Sequence, residues 1–313
     1  MKAGSENKSF AVVVVAYLPD DDCLSSIGNM ASQGHRIIVV DNTPSICWRP
    51  FPSLSNLTVV RLGSNVGLAA ALNLGIESAA SEGCNQIFLL DQDTRVPPLY
   101  FKKMLSFKMQ VDKNSEKCAA CVPNFFDRNS KTYARFPVLS RFTLRHISCK
   151  SSHSMLMSEA TIAITSGTLI DYLKLRTIGP MREDYFIDFI DNELCLRIYR
   201  LGFKIAVNFD VTLDHAIGNR KAHNIMGVSL KPNHHSAERR YYISRNGVRT
   251  ALDYSRNFPS YLMLMTARLA HEYLSIILFE QEKCRKLLAS GLGIVHGFTG
   301  KMGKCTREWM LSG

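Results

Sequence analysis

Four short apolar runs in the first ninety residues constrain the fold of this chain more than any other feature. Each has the length of a β-strand, and the run FAVVVVAY is apolar on both faces, as central strands of a parallel sheet are. The four runs are Phe10–Tyr17, Arg36–Val40, Asn56–Leu62 and Ile87–Leu90. Helix-forming segments separate them at Cys23–Ser32 and Leu68–Ala80. The order β-α-β-β-α-β predicts an open, mostly parallel α/β sheet flanked by helices.

Further elements are predicted after residue 98. Strands are expected at Cys118–Val122, Ile162–Thr165 and Lys204–Phe209, and helices at Leu99–Met109, Asp191–Leu201, Ala237–Tyr254 and Tyr261–Phe279. Residues 123–160 are read as loops and edge strands, and residues 216–236 as a mobile, His- and Lys-rich loop.

Polar residues follow each early strand at the point where it ends, namely Tyr17, Asp41, Asn65, and Asp91 to Asp93. Ligands of open α/β sheets bind beyond the carboxyl ends of the strands. We therefore expect these side chains to converge on one ligand.

The stretch QIFLLDQDT, Gln86–Thr94, runs from a buried strand directly into Asp91, Gln92 and Asp93. A buried carboxylate is normally paired or bound to a metal, because burying it alone is costly. Mg²⁺ typically takes one or two protein carboxylates and completes its coordination with water and phosphate oxygens. The pattern therefore indicates a metal–diphosphate site, although Asp-x-Asp also occurs in ordinary turns.

A second acidic cluster spans Glu183 to Glu193 and leads into a helix. Asp191 falls at the helix start, where the helix dipole favours an ionised carboxylate. Such a group at a cleft edge suits a general base for a hydroxyl, but it is also an ordinary helix-capping residue. Asp188 has the same two interpretations.

Two weaker signals lie between these clusters and after them. Gly63 to Gly67 precedes a helix, which suits a phosphate or sugar near the helix N-terminus, or simply a glycine-assisted helix start. His215 follows a predicted strand, where it is either structural or a third metal ligand facing Asp93.

The net charge of +11 implies an anionic partner, such as a phosphorylated ligand, a membrane surface or nucleic acid. The nine cysteines have no metal-type spacing or disulfide framework, which favours a reducing compartment. We expect no signal peptide and no bilayer-spanning segment. The apolar helix at Tyr261–Phe279 has one polar stripe and is either a buried packing helix or one at a membrane interface.

The ordered set of motifs resembles a known family. The segments are VVVVAYLP, VVDN, LGSNVGLAAALNLGI, FLLDQDT, TSGTLI, FIDFIDNELCLRIYRLGF and DHAIG. They resemble the inverting family-two glycosyltransferases of the GT-A fold, and more narrowly the bacterial rhamnosyltransferases that build O-antigen and related surface polysaccharides. The likeness covers roughly residues 9–256, and YYISRNGVR and GIVHGFTGKMG also look like that subgroup.

The resemblance implies roles for particular residues. Nucleotide and donor binding would involve Ala16, Tyr17, Asp41, Asn65, Gly67, Asp91, Gln92, Asp93 and Arg245. Asp93 and His215 would hold Mg²⁺ or Mn²⁺. Asp191 matches the proposed base of the family's Glu-Asp motif, but Ile190 replaces the usual Glu. Because acidic Asp188 lies three residues earlier, as in the rhamnosyltransferase subgroup, the choice between Asp188 and Asp191 stays open.

The resemblance also implies a substrate and a location. The donor would be dTDP-β-L-rhamnose and the acceptor a polyprenyl-diphosphate-linked oligosaccharide, at the anionic cytoplasmic face of the inner membrane, where the protein would be peripheral. Residues 1–236 would form the GT-A catalytic domain, with a nucleotide-sugar half (about 1–122) and an acceptor half (about 123–236). Residues 237–313 would be a basic, amphipathic helical extension.

Three alternatives remain at this point. The same fold could transfer another sugar from a UDP or dTDP donor. A basic nucleic-acid-binding protein would explain the charge but not the carboxylates at strand ends, and the sequence has no zinc spacing or aromatic RNA-binding motif, so no nucleic acid is expected. A sugar-binding scaffold without activity is opposed by the intact Asp91, Asp93 and Asp191.

Overall fold

The structure is a computed structural model that describes residues 10–127, 131–149, 158–215, 223–225, 228–230 and 234–311, with the backbone alone at residues 215, 223–225, 228–230 and 311. The strands are β1 Phe10–Ala16, β2 Arg36–Pro44, β3 Leu57–Gly63, β4 Gln86–Asp91, β5 Cys118–Asp127, β6 Thr132–Tyr133, β7 Phe136–Leu139, β8 Leu144–Ile147, β9 Ser158–Glu159, β10 Thr168–Asp171, β11 Lys204–His215, β12 His223–Ile225 and β13 Val228–Leu230. The helices are α1 Asp21–Ser32, α2 Leu68–Ser81, α3 Tyr100–Asn114, α4 Tyr172–Ile178, α5 Ile190–Arg200, α6 Ala237–Tyr254, α7 Pro259–Phe279, α8 Lys283–Thr299 and α9 Glu308–Leu311. Short 3-10 helices occupy Ser45–Cys47 and Glu183–Tyr185.

A nine-stranded, mostly parallel sheet organises the chain. Its order is β3-β2-β1-β4-β10-β5-β11-β9, with β6 paired to β5. The first four strands are parallel, whereas β10 runs antiparallel to both of its neighbours. The strand β1 lies in the middle of the parallel part and is almost completely buried, which agrees with its uninterrupted valines.

The predicted β-α-β-β-α-β order of the first ninety residues is confirmed, with boundaries within a few residues. The predicted strand at Ile162–Thr165 is wrong. A turn closed by the bond from the Thr168 amide to the Thr165 carbonyl (3.0 Å) intervenes, and the strand begins at Thr168. Most of the predicted loop at 216–236 lies outside the described residues.

Helix α6 holds the C-terminal helices through glycine contacts and buried charges. A Cβ added at Gly293 of α8 would lie 2.4 Å from the Tyr241 carbonyl oxygen of α6, so the two backbones are in direct contact. Arg240 of α6 is buried and pairs with Glu272 of α7 (2.8 Å) and with Glu280. Buried cations need such partners, because an uncompensated buried charge is strongly destabilising.

Helix α7 turns part of its polar stripe toward the protein. Glu272 and Ser275 are buried, whereas Met263, Leu274 and Ile277 are exposed. By length and composition this helix is apolar enough to cross a membrane, contrary to the expectation that no segment would be. Because Glu272 pairs with buried Arg240, however, the polar side of this helix packs against α6.

Two glycines of α8 provide a test of the packing between α6 and α8. Gly293→Ala would force the new methyl group into the backbone of α6, and we expect a loss of unfolding free energy of about 1–3 kcal/mol. Gly291→Ala in the same helix meets nothing closer than the Tyr273 hydroxyl at 3.9 Å, and should stabilise the helix by up to about 1 kcal/mol. Urea denaturation of both variants measures this difference; equal stabilities would contradict the packing.

Candidate active site

Three adjacent strands end at one edge of the sheet and bring the predicted polar residues together. In the parallel ladder, Ala16 of β1 pairs with Asp41 of β2, and Val15 pairs with Asp91 of β4. The side-chain oxygen of Gln92 accepts a hydrogen bond from the Tyr17 amide (2.7 Å), which ties the end of β1 to the Asp-x-Asp turn. The expected convergence of strand ends is therefore present.

Asp41 is completely buried at this edge. Its Oδ1 accepts a hydrogen bond from the Thr43 amide (3.2 Å), while Oδ2 accepts none from the described residues. The guanidinium of Arg61 lies 3.7 Å from Oδ2 and stacks over the ring of Trp48. The carboxylate thus keeps unused acceptor capacity, which is uncommon for a buried oxygen.

The Asn65–Gly67 turn lies beside Asp41, because Asn42 accepts a hydrogen bond from the Val66 amide (2.8 Å) and donates to Asn65 (3.1 Å). Gly67 has a φ of 95°. The carbonyl group of Phe186 packs so closely against it that a Cβ added at Gly67 would lie 2.9 Å from the carbonyl oxygen. The close approach that this glycine permits is therefore to a second loop of the protein.

The Asp-x-Asp turn is held by hydrogen bonds to Ser166, while the side chain of Asp93 is open to solvent. Ser166 donates to or accepts from Thr94 (2.6 Å) and accepts a hydrogen bond from the Asp91 amide (3.2 Å). Asp93 is exposed and makes no hydrogen bond or ion pair with another described side chain. A carboxylate presented in this way is available to a ligand.

The donor set at this turn fits a hard divalent cation that is shared with a phosphorylated ligand. No group of three or more potential metal ligands occurs among the described side chains. One or two carboxylates are what Mg²⁺ usually takes from a protein when phosphates supply the rest. The backbone of Asp214 bridges Arg95, so the end of β11 adjoins this turn, but the side chain of His215 lies outside the described part.

Asp188 and Asp191 stand on either side of the start of α5. Asp188 pairs with Arg239, whose guanidinium approaches to 3.1 Å. Asp191 accepts a hydrogen bond only from the Asn192 amide (2.8 Å) among the described groups. Asp191 therefore keeps lone pairs that accept no hydrogen bond from the described groups, whereas the carboxylate of Asp188 is engaged by an arginine.

The pKa of Asp191 differs from that of an ordinary surface aspartate. The pKa of Asp191 is raised to about 6, mainly by burial and in part by the carboxylates Asp188 and Asp91, against the opposing effects of the Asn192 amide and Arg268. A pKa near 6 matches a general base that operates near neutral pH.

Arg245, a predicted donor-binding residue, is surrounded by protein groups in this structure. Its guanidinium is completely buried under the rings of Tyr241 and Tyr242. It donates to the carbonyl oxygens of Tyr185 (3.0 Å) and Gly303. With its donors directed at backbone, the residue supports the fold around the site.

Sequence reasoning missed several residues that shape the site. Ser166, Arg239, Asn246 and Arg268 all contact the loops that carry the acidic residues. The only sequence signal for Asn246 was its place in the segment YYISRNGVR, which indicated a basic helix but not the direction of its side chains.

The sequence is similar to a protein family and to a curated protein. Residues 17–171 match the profile of Glycosyl transferase family 2. Over 300 residues the chain is 27% identical to the dTDP-rhamnosyl transferase RfbF of Shigella flexneri, covering 94% of this chain and 98% of that protein.

Solved structures share the fold at low identity. TarS of S. aureus, residues 1–349 in complex with UDP-GlcNAc, superposes with a TM-score of 0.56 at 12% identity and covers 92% of this chain and 81% of its own. GalNAc-T7 with UDP, GalNAc and Mn²⁺ gives a TM-score of 0.53 at 12% identity and covers 78% of this chain, which spans only 47% of that one. At this identity the superpositions show the fold, which is the GT-A fold.

The setting of Asp191 predicts a pH profile that separates the two candidate bases. If Asp191 must be ionised, turnover should fall as the pH drops through about 6, by about tenfold at pH 5. Asp188→Asn removes a like charge that raises the pKa of Asp191, so this acid limb should move to lower pH while turnover remains. Asp191→Asn should lower kcat by about 10²–10⁴-fold.

These outcomes are read from the pH dependence of kcat/KM for the wild type and both variants. If Asp188→Asn abolishes turnover while Asp191→Asn retains the acid limb, Asp188 is the base.

Proposed function

Starting from a chain whose residues 17–171 are a family 2 glycosyltransferase domain on a GT-A fold, we propose that this protein is an inverting rhamnosyltransferase. It transfers L-rhamnose from dTDP-β-L-rhamnose to a hydroxyl of a lipid-linked oligosaccharide in the synthesis of O-antigen or a related surface polysaccharide. The single observation that carries the donor is the identity to a dTDP-rhamnosyl transferase over 94% of this chain. The reaction class is supported by Asp91 at the end of β4, by the exposed carboxylate of Asp93, and by Asp191, which accepts one hydrogen bond among the described groups.

Asp191 acts as the general base. Its free carboxylate oxygen accepts the proton of the acceptor hydroxyl as that oxygen attacks the anomeric carbon of the donor. The new glycosidic bond forms as the bond to the diphosphate breaks, and dTDP leaves with the electron pair. Since attack and departure occur on opposite faces of the sugar, one displacement inverts the β-linked donor into an α-L-rhamnoside.

The nucleotide lies along the ends of β1, β2 and β3 in this proposal. The imide N–H of thymine suits Asp41 Oδ2, which is the acceptor without a protein donor. Because Asp41 Oδ2 is buried, the thymine ring reaches it only when the covering side chains move aside. Tyr17, exposed at the end of β1, and the Asn65–Gly67 turn border the same space, with Ala16 at the floor.

A divalent cation is part of the same proposal. Mg²⁺ or Mn²⁺ would be held by Asp93, with Asp91 nearby and His215 as the second predicted ligand, and when bound it supplies positive charge to the departing diphosphate. The exposed, unpaired carboxylate of Asp93 supports this assignment.

The acceptor is assigned to the half of the catalytic domain at about 123–236 and the lipid to residues 237–313. A face of α7 and α8 carries exposed apolar side chains: Leu262, Met263, Leu274, Ile277 and Leu278 on α7, and Leu288, Val295 and Phe298 on α8. A helix that buries Glu272 and Ser275 while it exposes several large apolar side chains departs from the usual pattern of a water-soluble surface helix. Together with a net charge of +11, it suits peripheral contact with an anionic membrane, as a lipid-linked acceptor requires.

Donor binding tests the chemistry and the sugar in one experiment. With Mg²⁺ or Mn²⁺, dTDP-L-rhamnose should bind and be turned over in preference to UDP-sugars and other dTDP-sugars. Asp93→Asn should weaken binding by at least about tenfold in the presence of metal, the loss of about 1.4 kcal/mol, and should make no difference in EDTA. Isothermal titration calorimetry with the sugar-nucleotide panel measures both effects.

The control variant is Asp22→Asn, which removes an exposed carboxylate paired with Arg95 on the neighbouring surface. It should bind as the wild type does. Preference for another sugar nucleotide would replace rhamnose in the proposal, and a folded protein that binds no sugar nucleotide would overturn it in favour of a scaffold or a nucleic-acid-binding protein.

Membrane contact is tested by flotation with vesicles. The double variant Leu274→Glu, Ile277→Glu should bind vesicles containing anionic phosphatidylglycerol at least about tenfold more weakly than the wild type, because it places charges where apolar burial is expected. The matched control, Leu173→Glu with Leu201→Glu, changes two equally exposed leucines elsewhere and should bind normally. If the wild-type protein does not bind vesicles but forms a dimer, and the first variant is monomeric, this face would instead be assigned to a second copy of the chain.

A further inference from the structure

The loop that carries Asp188 has an unusual backbone. Phe186, Asp188 and Phe189 all have positive φ angles, of 65°, 62° and 64°, although none is glycine. Each such residue costs of order 1–3 kcal/mol, and such conformations persist only where the surroundings enforce them. The Phe186–Phe189 loop therefore needs a structural cause outside itself.

One buried side chain supplies that cause. Asn246 of α6 is completely buried, and its Nδ2 group donates to the carbonyl oxygens of Tyr185 (2.9 Å), Ile187 (2.8 Å) and Asp188 (3.0 Å). Its Oδ1 accepts a hydrogen bond from Arg245 Nε (2.9 Å). An N–H donor of Arg245 on one side and carbonyl acceptors on the other leave the amide only one orientation.

The loop is also held from the opposite side. The Leu68 amide, at the start of α2, donates to the Phe186 carbonyl (2.6 Å). The Gly303 amide donates to the Asp184 carbonyl (2.7 Å), and Arg245 bonds to both segments. The loop therefore lies between the sheet edge and α6, and its carbonyls on the α6 side depend on one amide group.

We propose that Asn246 is a positioning residue that holds the Phe186–Phe189 loop in its strained form and thereby keeps Asp188 and Asp191 facing the donor edge of the sheet. The residue touches no substrate in this arrangement. Its effect reaches the reaction through the loop and the first turn of α5, where Asp191 follows Phe189 by two residues. The kinetic consequences rest on the proposed function, whereas the hold on the loop does not.

The main test variant is Asn246→Leu, which keeps the side-chain size and removes the donors. In the transferase assay, kcat should fall by about 10²-fold, the usual cost of misplacing a reacting group by about 1 Å, while KM for the donor and Kd for dTDP change by less than about threefold. Hydrogen–deuterium exchange of the peptide covering residues 183–191 should become faster. Asn246→Ser retains one hydroxyl donor, so its kcat and its exchange rate should lie between those of the wild type and Asn246→Leu. This second variant keeps the test possible if the leucine variant does not fold.

The matched control is Tyr254→Phe, on the same helix. It removes a buried hydrogen bond to Glu193 (2.7 Å) but leaves the loop untouched. This control should lose thermal stability without changing kcat or the exchange of residues 183–191.

The results separate the two proposals. Unchanged exchange of the loop in folded Asn246 variants, or a fall in thermal stability with wild-type kcat, overturns the positioning role. If the wild type transfers no sugar but the exchange responds as expected, the proposed function fails and the hold on the loop stands.

Discussion

The parallel pairing of β1 with β2 and β4 is the constraint on which the candidate site depends. Parallel strands in register end together, so Ala16, Asp41 and Asp91 reach the same edge of the sheet whatever the loops do. The pairing is enforced by burial, because a shift of one residue would turn the valines of β1 against the wrong neighbours. Loops that follow these strands then need only short reach to surround a ligand.

The part of the site that belongs to this edge could be predicted from sequence, and the part built by distant contacts could not. Apolar runs followed by Asp41 and Asp91 predicted the sheet and the edge at which these residues meet, because strand length and apolar pattern are local properties of the sequence. Asn246 was invisible for the opposite reason, since its partners lie 58 to 61 positions away and its residue type is ordinary on a helix. The burial of Arg245 under two tyrosines was not visible in the sequence either, because a charged residue on a helix is ordinarily exposed.

Two further differences came from burial that composition does not reveal. The position of Asp191 at a helix start favoured an ordinary ionised carboxylate, but burial raises its pKa to about 6. The polar stripe of α7 was recognised, yet its direction was not, because an amphipathic pattern is the same whichever face meets the protein. Only the buried pairing of Glu272 with Arg240 fixes that direction.

The dependence of the Phe186–Phe189 loop on α6 also orders events during synthesis. Chains fold from the N-terminus as they are made, so the sheet edge with Asp41 and Asp91 can assemble while α6 has not yet been translated. The strained loop has no reason to adopt its final form until Asn246 arrives, and Gly303 joins later still. A ribosome-bound chain would thus carry the sheet edge with Asp41 and Asp91 before the Phe186–Phe189 loop is held in its final form.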